Sequence, residues 1–297
     1  MPASDDPLSP FTRERIARLA EDALRRAEVL DVFPTPIEAV QRAAGVRERI
    51  DIAELPDEVR AKKPSVFKRV LGALWFEQRT VFIDTEQAHQ RVLFTDAHEA
   101  THAMCGWHED VLRLDTEDEL FHQLHPGVEA EANFGAGHLI FQGGRFHRLA
   151  LLDQVSLRTP LALAARYGAS RHAAAHYYVQ EHPDAVALLV AGRYPYFDKT
   201  LPVWRSVESP EFLRRFGRLR DRLPAGQLSL QQDALFAGIL EDARLAVDPP
   251  STPIVIPDNG STKRRFVAEA FFNGYTNLIF VAETKSRRLG QRVRLAS

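Results

Sequence analysis

The spacing of apolar residues predicts a strand and then a long amphipathic helix in the first half of the chain. Residues 79–84 form a short β-branched and aromatic run, which is typical of a strand. Residues 87–105 contain neither glycine nor proline. Their apolar side chains recur at helical spacing, at Val92, Leu93, Ala97, Ala100 and Met104. Gly106 then fits the position just beyond the last turn of this helix.

A second helix and a helical pair follow. Residues 127–140 predict a helix that is rich in small side chains. Residues 160–167 predict a short helix, and Ser170 fits the N-cap of another that runs to about residue 180. The pair resembles a helix-turn-helix, whose second helix would offer to bases mainly Arg171, His172, His176 and Gln180. These side chains are few, so we interpret the two helices as a structural element of the fold. Direct DNA binding by the protein stays open.

Strands dominate from about residue 184. Residues 185–191 form a continuous apolar run that is typical of a buried strand, and residues 201–207 form a weaker one. Residues 265–272 and 276–283 predict a hairpin with Asn273-Gly274 as its turn. The other predicted elements are a Pro-rich loop at 248–253 and helices at 208–222 and 228–246. This mixture predicts a small α+β domain.

The first long helix carries the residues with the clearest chemistry. His98-Glu99-Ala100-Thr101-His102 follow the H-E-x-x-H pattern. Two histidines four residues apart project from one face of a helix, so both imidazoles can bind one zinc ion. Glu99, next to the first histidine, lies where it can accept a proton from metal-bound water. The pattern predicts zinc ligands at His98 and His102 and a catalytic base at Glu99.

A catalytic zinc needs a third protein ligand, and the second helix offers candidates. Glu129 and Asn133 are four residues apart and share a face, whereas Glu131 points away from both. We predict Glu129 as the ligand and Asn133 as a hydrogen-bond partner of a ligating histidine, with Glu131 as the alternative ligand. Small residues would let the two helices approach closely, and they are Ala132, Gly135 and Ala136.

Two segments resemble the motifs of a known family. Residues 93–102 are similar to the R-F-T-x-A-H-E-x-x-H motif of the ImmA/IrrE family of bacterial zinc metallopeptidases. Residues 129–140 resemble its second motif, E-x-x-(A/C)-N-x-(F/G)-A-x-x-L-(L/M). The likeness covers about residues 16–145 and is greatest to the IrrE radiation-response branch. Ala100-Thr101 and Gln142 depart from the residues usual in the family, and these departures bear on packing rather than on a ligand.

The resemblance implies an α+β fold with three parts. These are a zincin-like metallopeptidase domain of helices and a small sheet, a helix-turn-helix-like helical linker, and a C-terminal GAF-like α+β sensor domain. The expected boundaries are a disordered tail over residues 1–12, the peptidase domain over 13–150, the linker over 151–183 and the GAF-like domain over 184–297. The expected cofactor is Zn²⁺, and another divalent metal such as Mn²⁺ could replace it in the cell.

Charge is distributed unevenly along a chain whose formal net charge is only −2. Residues 1–189 hold 21 Lys and Arg against 29 Asp and Glu, and residues 190–297 hold 17 against 11. Acidic residues after the first long helix include Glu109, Asp110, Asp115, Glu117, Asp118 and Glu119. They indicate either a solvated loop or a rim that attracts a basic, DNA-binding substrate. Basic residues of the second part include Arg214, Arg215, Arg218, Arg220, Arg222, Lys263, Arg264 and Arg265, which are typical of exposed faces.

Several features fit a cytoplasmic protein without a membrane span. The chain has no apolar run of 18 or more residues and no secretory pattern at its N-terminus. Cys105 is its single cysteine, which excludes an intrachain disulfide and fits a reducing compartment. We interpret Cys105 as a small buried residue, because the set of three zinc ligands is complete without it.

Two functions of different classes remain. The resemblance implies a zinc-dependent endopeptidase, gluzincin-like, that cleaves a DNA-binding repressor of the XRE helix-turn-helix type in a stress response or in mobile-element regulation. The alternative is a DNA-binding or sensor-type transcription regulator with a non-catalytic zinc. The set of three ligands with the adjacent Glu99 favours the peptidase, because a structural zinc normally has four Cys or His ligands. Candidates for an oxyanion donor stay open, and they are His108, His122, His125 and His138.

Overall fold

The structure is a computed structural model that describes residues 8–55, 71–114, 126–223, 226–229, 234–246 and 248–284. It combines helices and strands, in agreement with the predicted α+β class. The chain forms two compact units, the first of residues up to 154 with 159–178, the second of 155–158 and the chain from 179 onwards. The predicted domain boundaries and the GAF-like character of the second domain stay predictions.

Helices make up most of the first unit. Up to residue 180 they are α1 (Pro10–Arg26), α2 (Ile37–Ala43), α3 (His89–Met104), α4 (Gly106–Leu114), α5 (Pro126–Phe141), α6 (Gly144–Ala150), α7 (Arg158–Ala164) and α8 (Arg171–Gln180). Ser9 caps α1, because its hydroxyl accepts a hydrogen bond from the Thr12 amide at 3.1 Å. The predicted disordered tail over residues 1–12 is therefore too long, since α1 already begins at Pro10. Residues 1–7 of that tail lie outside the described chain.

A three-stranded sheet supports α3. Its strands are β1 (Glu48–Asp51), β2 (Gly72–Trp75) and β3 (Thr80–Ile83), in the order β1-β3-β2. β3 is the strand predicted at residues 79–84, and it pairs in parallel with β1 and antiparallel with β2. Both edges of β3 are occupied, so a peptide cannot add to this strand. Among the described residues β2 is the edge strand on that side, and its sequence, Gly-Ala-Leu-Trp, has no β-branched residue that would indicate a strand.

The helix that carries the H-E-x-x-H pattern ends at the predicted place. Cys105 leaves the helical conformation, with φ −93° and ψ 82°, so Gly106 is the residue just beyond the helix cap, as predicted. Gly106 does not have the positive φ that is common at this position, and it begins α4. The amide of His108 donates to the carbonyl of Cys105 at 2.8 Å, which starts the new helix one residue after the break. The chain thus turns from α3 directly into a second helix.

α3 and α5 pack closely through small side chains. Ala97 and Ala100 of α3 and Ala132 and Ala136 of α5 are fully buried. A Cβ atom at Gly135 would lie 2.3 Å from Cγ2 of Thr101 and 2.7 Å from its Oγ1, so only glycine fits there without displacement. The predicted close approach of the two helices is confirmed. It brings the first turn of α5 against the last two turns of α3.

Gln142 follows α5 and ties it to the loop after α1. Its amide nitrogen donates to the carbonyls of Val29 at 3.1 Å and Val32 at 3.0 Å, and its oxygen accepts from the amide of Asp31 at 2.8 Å. The φ angle of Gln142 is +51°, which proline cannot adopt. The departure from proline at this position is thus a packing feature, as predicted.

The second unit is built on a six-stranded antiparallel sheet. Its strands are β4 (Val186–Ala191), β5 (Thr200–Glu208), β6 (Gln227–Ser229), β7 (Ser251–Pro257), β8 (Lys263–Phe272) and β9 (Asn277–Glu283), in the order β6-β5-β4-β9-β8-β7. Helices α9 (Pro210–Phe216) and α10 (Ala234–Leu245) contribute Phe212, Phe216 and Ile239 to its core. The predicted hairpin of β8 and β9 is confirmed, with Gly274 at φ +92° in its turn.

Three boundaries in the second unit differ from the predictions. The predicted loop at 248–253 already contains the start of β7, and its proline is tolerated because β7 is an edge strand. The helix predicted at 208–222 stops at Phe216, because Gly217 takes a positive φ of 69°. The helix predicted at 228–246 is preceded by β6.

The predicted helical pair is present as α7 and α8. Ser170 caps α8, since its hydroxyl accepts a hydrogen bond from the amide of Ala173 at 3.1 Å. Of the four side chains considered for base contacts only Arg171 is exposed. A recognition helix presents a solvent-facing surface to the major groove, so this burial favours a structural pair. Within the described ranges, no helix combines the length and apolarity that a membrane crossing requires.

Candidate metal centre

Three side chains from two helices converge on one point. The ligand atoms of His98, His102 and Glu129 all lie within 4.8 Å of one another. Nε2 of His98 lies 3.1 Å from Nε2 of His102 and 3.2 Å from Oε2 of Glu129. Nε2 of His102 lies 3.5 Å from Oε1 of Glu129. The structure therefore brings together the three residues that the sequence predicts as metal ligands.

The spacing of these atoms fits a tetrahedral metal. Ligand atoms about 2.0–2.1 Å from a tetrahedral zinc lie about 3.3–3.4 Å from one another. The separations from Nε2 of His98, 3.1 and 3.2 Å, lie close to that value, and Nε2 of His102 lies 3.5 Å from the other carboxylate oxygen of Glu129. Two imidazoles and a carboxylate also form a donor set that zinc prefers, and three protein ligands leave a fourth position for water. The group can thus hold a divalent metal such as zinc.

The negative charge of Glu129 favours metal binding, whereas a proton competes with the metal at His98. Burial raises the pKa of Glu129, but the imidazoles of His102 and His98 outweigh that effect and leave the pKa of the carboxyl well below its usual range. Burial lowers the pKa of His98, but the hydrogen bond to Glu129 and the charge of Glu99 make the net shift upward. Asn133 acts in the same direction by accepting a hydrogen bond from His98, as expected for the predicted partner of a ligating histidine. Glu129 lies in the first turn of α5, where the helix dipole also stabilises an anion.

Glu99 lies beside the three ligands without joining them. It is only 6% exposed, and this burial is the main reason why its pKa is raised. Its carboxylate also borders β2, since a Cβ atom at Gly72 would lie 3.2 Å from Oε1 of Glu99 and 2.3 Å from Cγ2 of Thr95. A buried carboxyl with a raised pKa is a suitable proton acceptor near neutral pH. Glu99 therefore lies between the metal position and the edge strand.

Glu131, the alternative ligand, has a different environment. Its Oε2 lies 3.0 Å from Nε2 of His108 and accepts a hydrogen bond from Nε1 of Trp107 at 2.7 Å. Nδ1 of His108 in turn lies 2.9 Å from Nδ1 of His102. Burial lowers the pKa of His108 to about 4, so its ring is neutral near pH 7. The structure places Glu131 one histidine away from the metal position, and the alternative assignment as a ligand is wrong.

Asp96 anchors α3 to the sheet. Its carboxylate makes two hydrogen bonds with the guanidinium of Arg49 on β1, both at 2.9 Å. The amide of Gln41 on α2 donates to the same carboxylate at 3.0 Å. Asp96 lies two residues before His98, so this pair fixes the position of the helix close to the metal ligands. An aspartate on the apolar face of α3 is the sequence signal for this ion pair, and Arg49 could not be inferred as its partner from the sequence.

Removing the guanidinium of Arg49 is expected to destabilise the first unit. In Arg49→Ala the Asp96 carboxylate stays buried with only Gln41 as a partner, and the free energy of unfolding is expected to fall by about 2 kcal/mol. Urea unfolding followed by circular dichroism measures the change. Arg18→Ala is the control, because Arg18 pairs with Glu14 on the surface of α1 and is expected to cost less than about 1 kcal/mol. Equal losses in the two variants would contradict the anchoring role of Asp96.

The other residues considered as a further metal ligand or as an oxyanion donor do not join the three ligands. Cys105 is fully buried and free, in line with its interpretation as a packing residue, and burial raises its pKa to about 12. His138 packs against Phe134 and Tyr177, and burial lowers its pKa to about 4. His122, His125 and the acidic residues 115–119 lie outside the described residues. Nothing at the described histidines selects an oxyanion donor.

Several basic residues of the second unit pair with acidic residues within it. Arg215 pairs with Glu283, and Arg214 pairs with Glu211. Arg264 pairs with Asp258. The side chains of Arg214 and Arg264 stay exposed, in line with the interpretation of the basic runs as exposed faces.

Comparison with known proteins agrees with the site. Residues 47–177 match the model of the peptidase M78 family, the IrrE N-terminal-like domain. A solved structure titled "Mycobacterium tuberculosis transcriptional regulator" is similar at a TM-score of 0.53 and 13% identity, over 91% of this chain and 76% of that chain, which shows a shared fold alone. No curated protein matches the chain. The matched range contains all three converging side chains and confirms the predicted resemblance: the chain carries an IrrE N-terminal-like domain of the ImmA/IrrE metallopeptidase family over residues 47–177.

Proposed function

We propose that the protein is a zinc-dependent endopeptidase that cleaves a DNA-binding transcriptional repressor in the cytoplasm. The observation that carries the proposal is the convergence of His98, His102 and Glu129 beside the buried carboxylate of Glu99. In the IrrE branch, which the motifs resemble most, such cleavage belongs to a stress response. The XRE-type repressor and the link to stress or to a mobile element come from that resemblance.

In this proposal the three converging side chains hold the metal and Glu99 moves the proton. Zinc, when bound, would lower the pKa of water and polarise the scissile carbonyl. Glu99 accepts the proton of the attacking water and delivers it to the leaving amine. Its burial excludes competing solvent protons and its raised pKa brings it closer to the pH at which a general base works best.

The proposed substrate binds along the edge of β2 with which no described strand pairs. An extended peptide can add to an exposed sheet edge through main-chain hydrogen bonds, and β2 is the strand whose Gly72 borders Glu99. Trp75, at the end of β2, is 46% exposed and offers a surface for a side chain of the substrate. Glu109 and Asp110 on α4 supply negative charge that suits a basic substrate such as a DNA-binding protein.

A transcription regulator with a non-catalytic zinc is the second candidate. The fold shared with a structure titled a transcriptional regulator favours it, as does the presence of the α7–α8 pair. Against it stand a set of three ligands among the described residues, which leaves a position for water, and the partial burial of His172, His176 and Gln180 on α8. The two candidates differ in what the protein does to a repressor and to DNA.

One experiment separates the two functions. The purified protein is incubated with the repressor encoded nearest its gene, with zinc added, with zinc removed by a chelator, and with zinc restored. We expect cleavage at one site in the first and third samples and none in the second. Mass spectrometry of the products locates the bond. A gel-shift assay with the operator DNA of that repressor measures whether the protein itself binds DNA.

The outcomes are distinct. Cleavage that depends on zinc supports the peptidase. Tight operator binding by the protein, with an intact repressor in every sample, would overturn the proposal in favour of the regulator. Cleavage that persists after complete removal of zinc would show that the chemistry does not use His98, His102 and Glu129.

A further inference from the structure

We infer that His108 and Glu131 form a positioning relay that holds His102 in the one tautomer able to bind the metal through Nε2. The relay is the series Trp107, Glu131, His108 and His102, linked by three hydrogen bonds of 2.7, 3.0 and 2.9 Å. His108 is fully buried and His102 is 5% exposed, so water cannot replace these contacts easily. The inference rests on the proposed metal site and adds the residues that prepare it.

The direction of each hydrogen bond follows from the donors and acceptors. An indole can only donate, and an ionised carboxylate can only accept, so Oε2 of Glu131 accepts from both Trp107 and His108. Nε2 of His108 must then carry the proton. A second proton at Nδ1 would make the ring of His108 a cation, which its complete burial disfavours, so Nδ1 of His108 accepts.

The same logic fixes the tautomer of His102. Because Nδ1 of His108 accepts, Nδ1 of His102 must donate across the 2.9 Å contact. Nε2 of His102 is then unprotonated, and it is the atom that lies 3.1 Å from Nε2 of His98 at the metal position. The opposite tautomer would set two lone pairs against each other at His108. The relay thus presents a lone pair to the metal before the metal arrives.

The helices place the relay where it can couple the ligands. The break at Cys105 turns α4 so that His108, in its first two turns, faces back to His102 of α3. Glu131 lies on α5 two residues after Glu129, so α5 supplies one ligand directly and supports a second through His108. On the outer side, the guanidinium of Arg15 lies 3.6 Å from the ring centroid of Trp107 and covers the end of the series.

Zinc affinity is the first test. Hydrogen bonds that orient metal ligands are typically worth 10–100-fold in affinity, so His108→Phe is expected to raise the Kd for zinc by roughly that factor. Competition with a chromophoric chelator measures it. His138→Phe is the matched control, since His138 is a buried histidine of α5 outside the relay, and its Kd is expected to be unchanged.

A second variant separates positioning from packing. In His108→Asn the amide oxygen can still accept from Nδ1 of His102, although the link to Glu131 is lost. We expect His108→Asn to recover most of the zinc affinity that His108→Phe loses. If both variants bind zinc as the unaltered protein does, or if both weaken it equally, the relay does not position His102.

The third test uses the unaltered protein, so its result does not depend on whether a variant folds. In zinc-free protein, two-bond ¹H–¹⁵N correlation spectra of the histidine rings are expected to show His102 protonated at Nδ1 and His108 at Nε2. Protonation of His102 at Nε2 alone would overturn the inference. A failure of the unaltered protein to bind zinc at all would instead count against the proposed function, so the two failures are distinguishable.

Discussion

Replacing Glu99 with glutamine is expected to lower kcat/KM for repressor cleavage by about 10²–10⁴-fold, the usual contribution of a general base. Glutamine keeps the shape of the side chain and an accepting oxygen but cannot take a proton from water. Because Glu99 lies outside the three converging side chains, zinc affinity is expected to stay close to that of the unaltered protein. Initial rates of repressor cleavage and chelator competition measure the two quantities.

Glu86→Gln provides the matched control for this prediction. Glu86 is exposed shortly before the start of α3, and its substitution makes the same chemical change away from the metal position. We expect it to cleave at the unaltered rate. Full activity in Glu99→Gln would place the base elsewhere, and a joint loss of activity and zinc would assign Glu99 to the ligand set instead.

The local elements of the candidate site could be predicted because each depends on neighbours in sequence. α3 and α5 have helical spacing of apolar residues, and β3 has a β-branched run of the length of a strand. The two histidines share a face by helix geometry alone. Glu129 was separable from Glu131 because Asn133 marks the face of α5 that turns toward α3.

The contacts that complete the site depend on tertiary structure. His108 is close to His102 in sequence, but only the break at Cys105 turns its ring toward Nδ1 of His102. The prediction placed the end of the helix correctly to within two residues and missed the second helix that follows. No local signal could join His108 to Glu131, because the chain between α4 and α5 separates them.

The edge strand β2 shows a second limit of prediction from the sequence. β3 has the stronger strand signal, and a strand in the middle of a sheet has that signal because it is buried on its edges as well as on one face. The strand best suited to hold a peptide is half-exposed, so its sequence is the less informative one. Apolar patterning therefore identifies the support of the site more readily than its open side.

The second large effect is expected when the contact between Thr101 and Gly135 is changed. Replacing Gly135 with alanine would gain up to about 1 kcal/mol of helix propensity, since the φ of Gly135 is not in the left-handed region. The new Cβ atom, however, would lie 2.3 Å from Cγ2 of Thr101. Overpacking of this kind costs about 1–3 kcal/mol, so we expect Gly135→Ala to destabilise the protein in urea unfolding. Zinc affinity is expected to fall about tenfold or more, because relief of the clash moves Glu129 and about 1.4 kcal/mol is a factor of ten in binding.

The effect is expected to shrink when Thr101 is shortened. In a Thr101→Ala background Cγ2 and Oγ1 are absent and only Cβ of residue 101 remains close, at 3.1 Å, so Gly135→Ala should cost much less stability and zinc affinity than in the unaltered protein. Thr101→Ala alone loses the hydrogen bond from its hydroxyl to the carbonyl of Ala97 at 2.9 Å, so each comparison is made within one background. The resembled family usually has Gly or Ser where this chain has Thr101, and a glycine opposite the larger residue restores the close approach. A Gly135→Ala substitution that destabilises both backgrounds equally would show that the distance between α3 and α5 is set elsewhere.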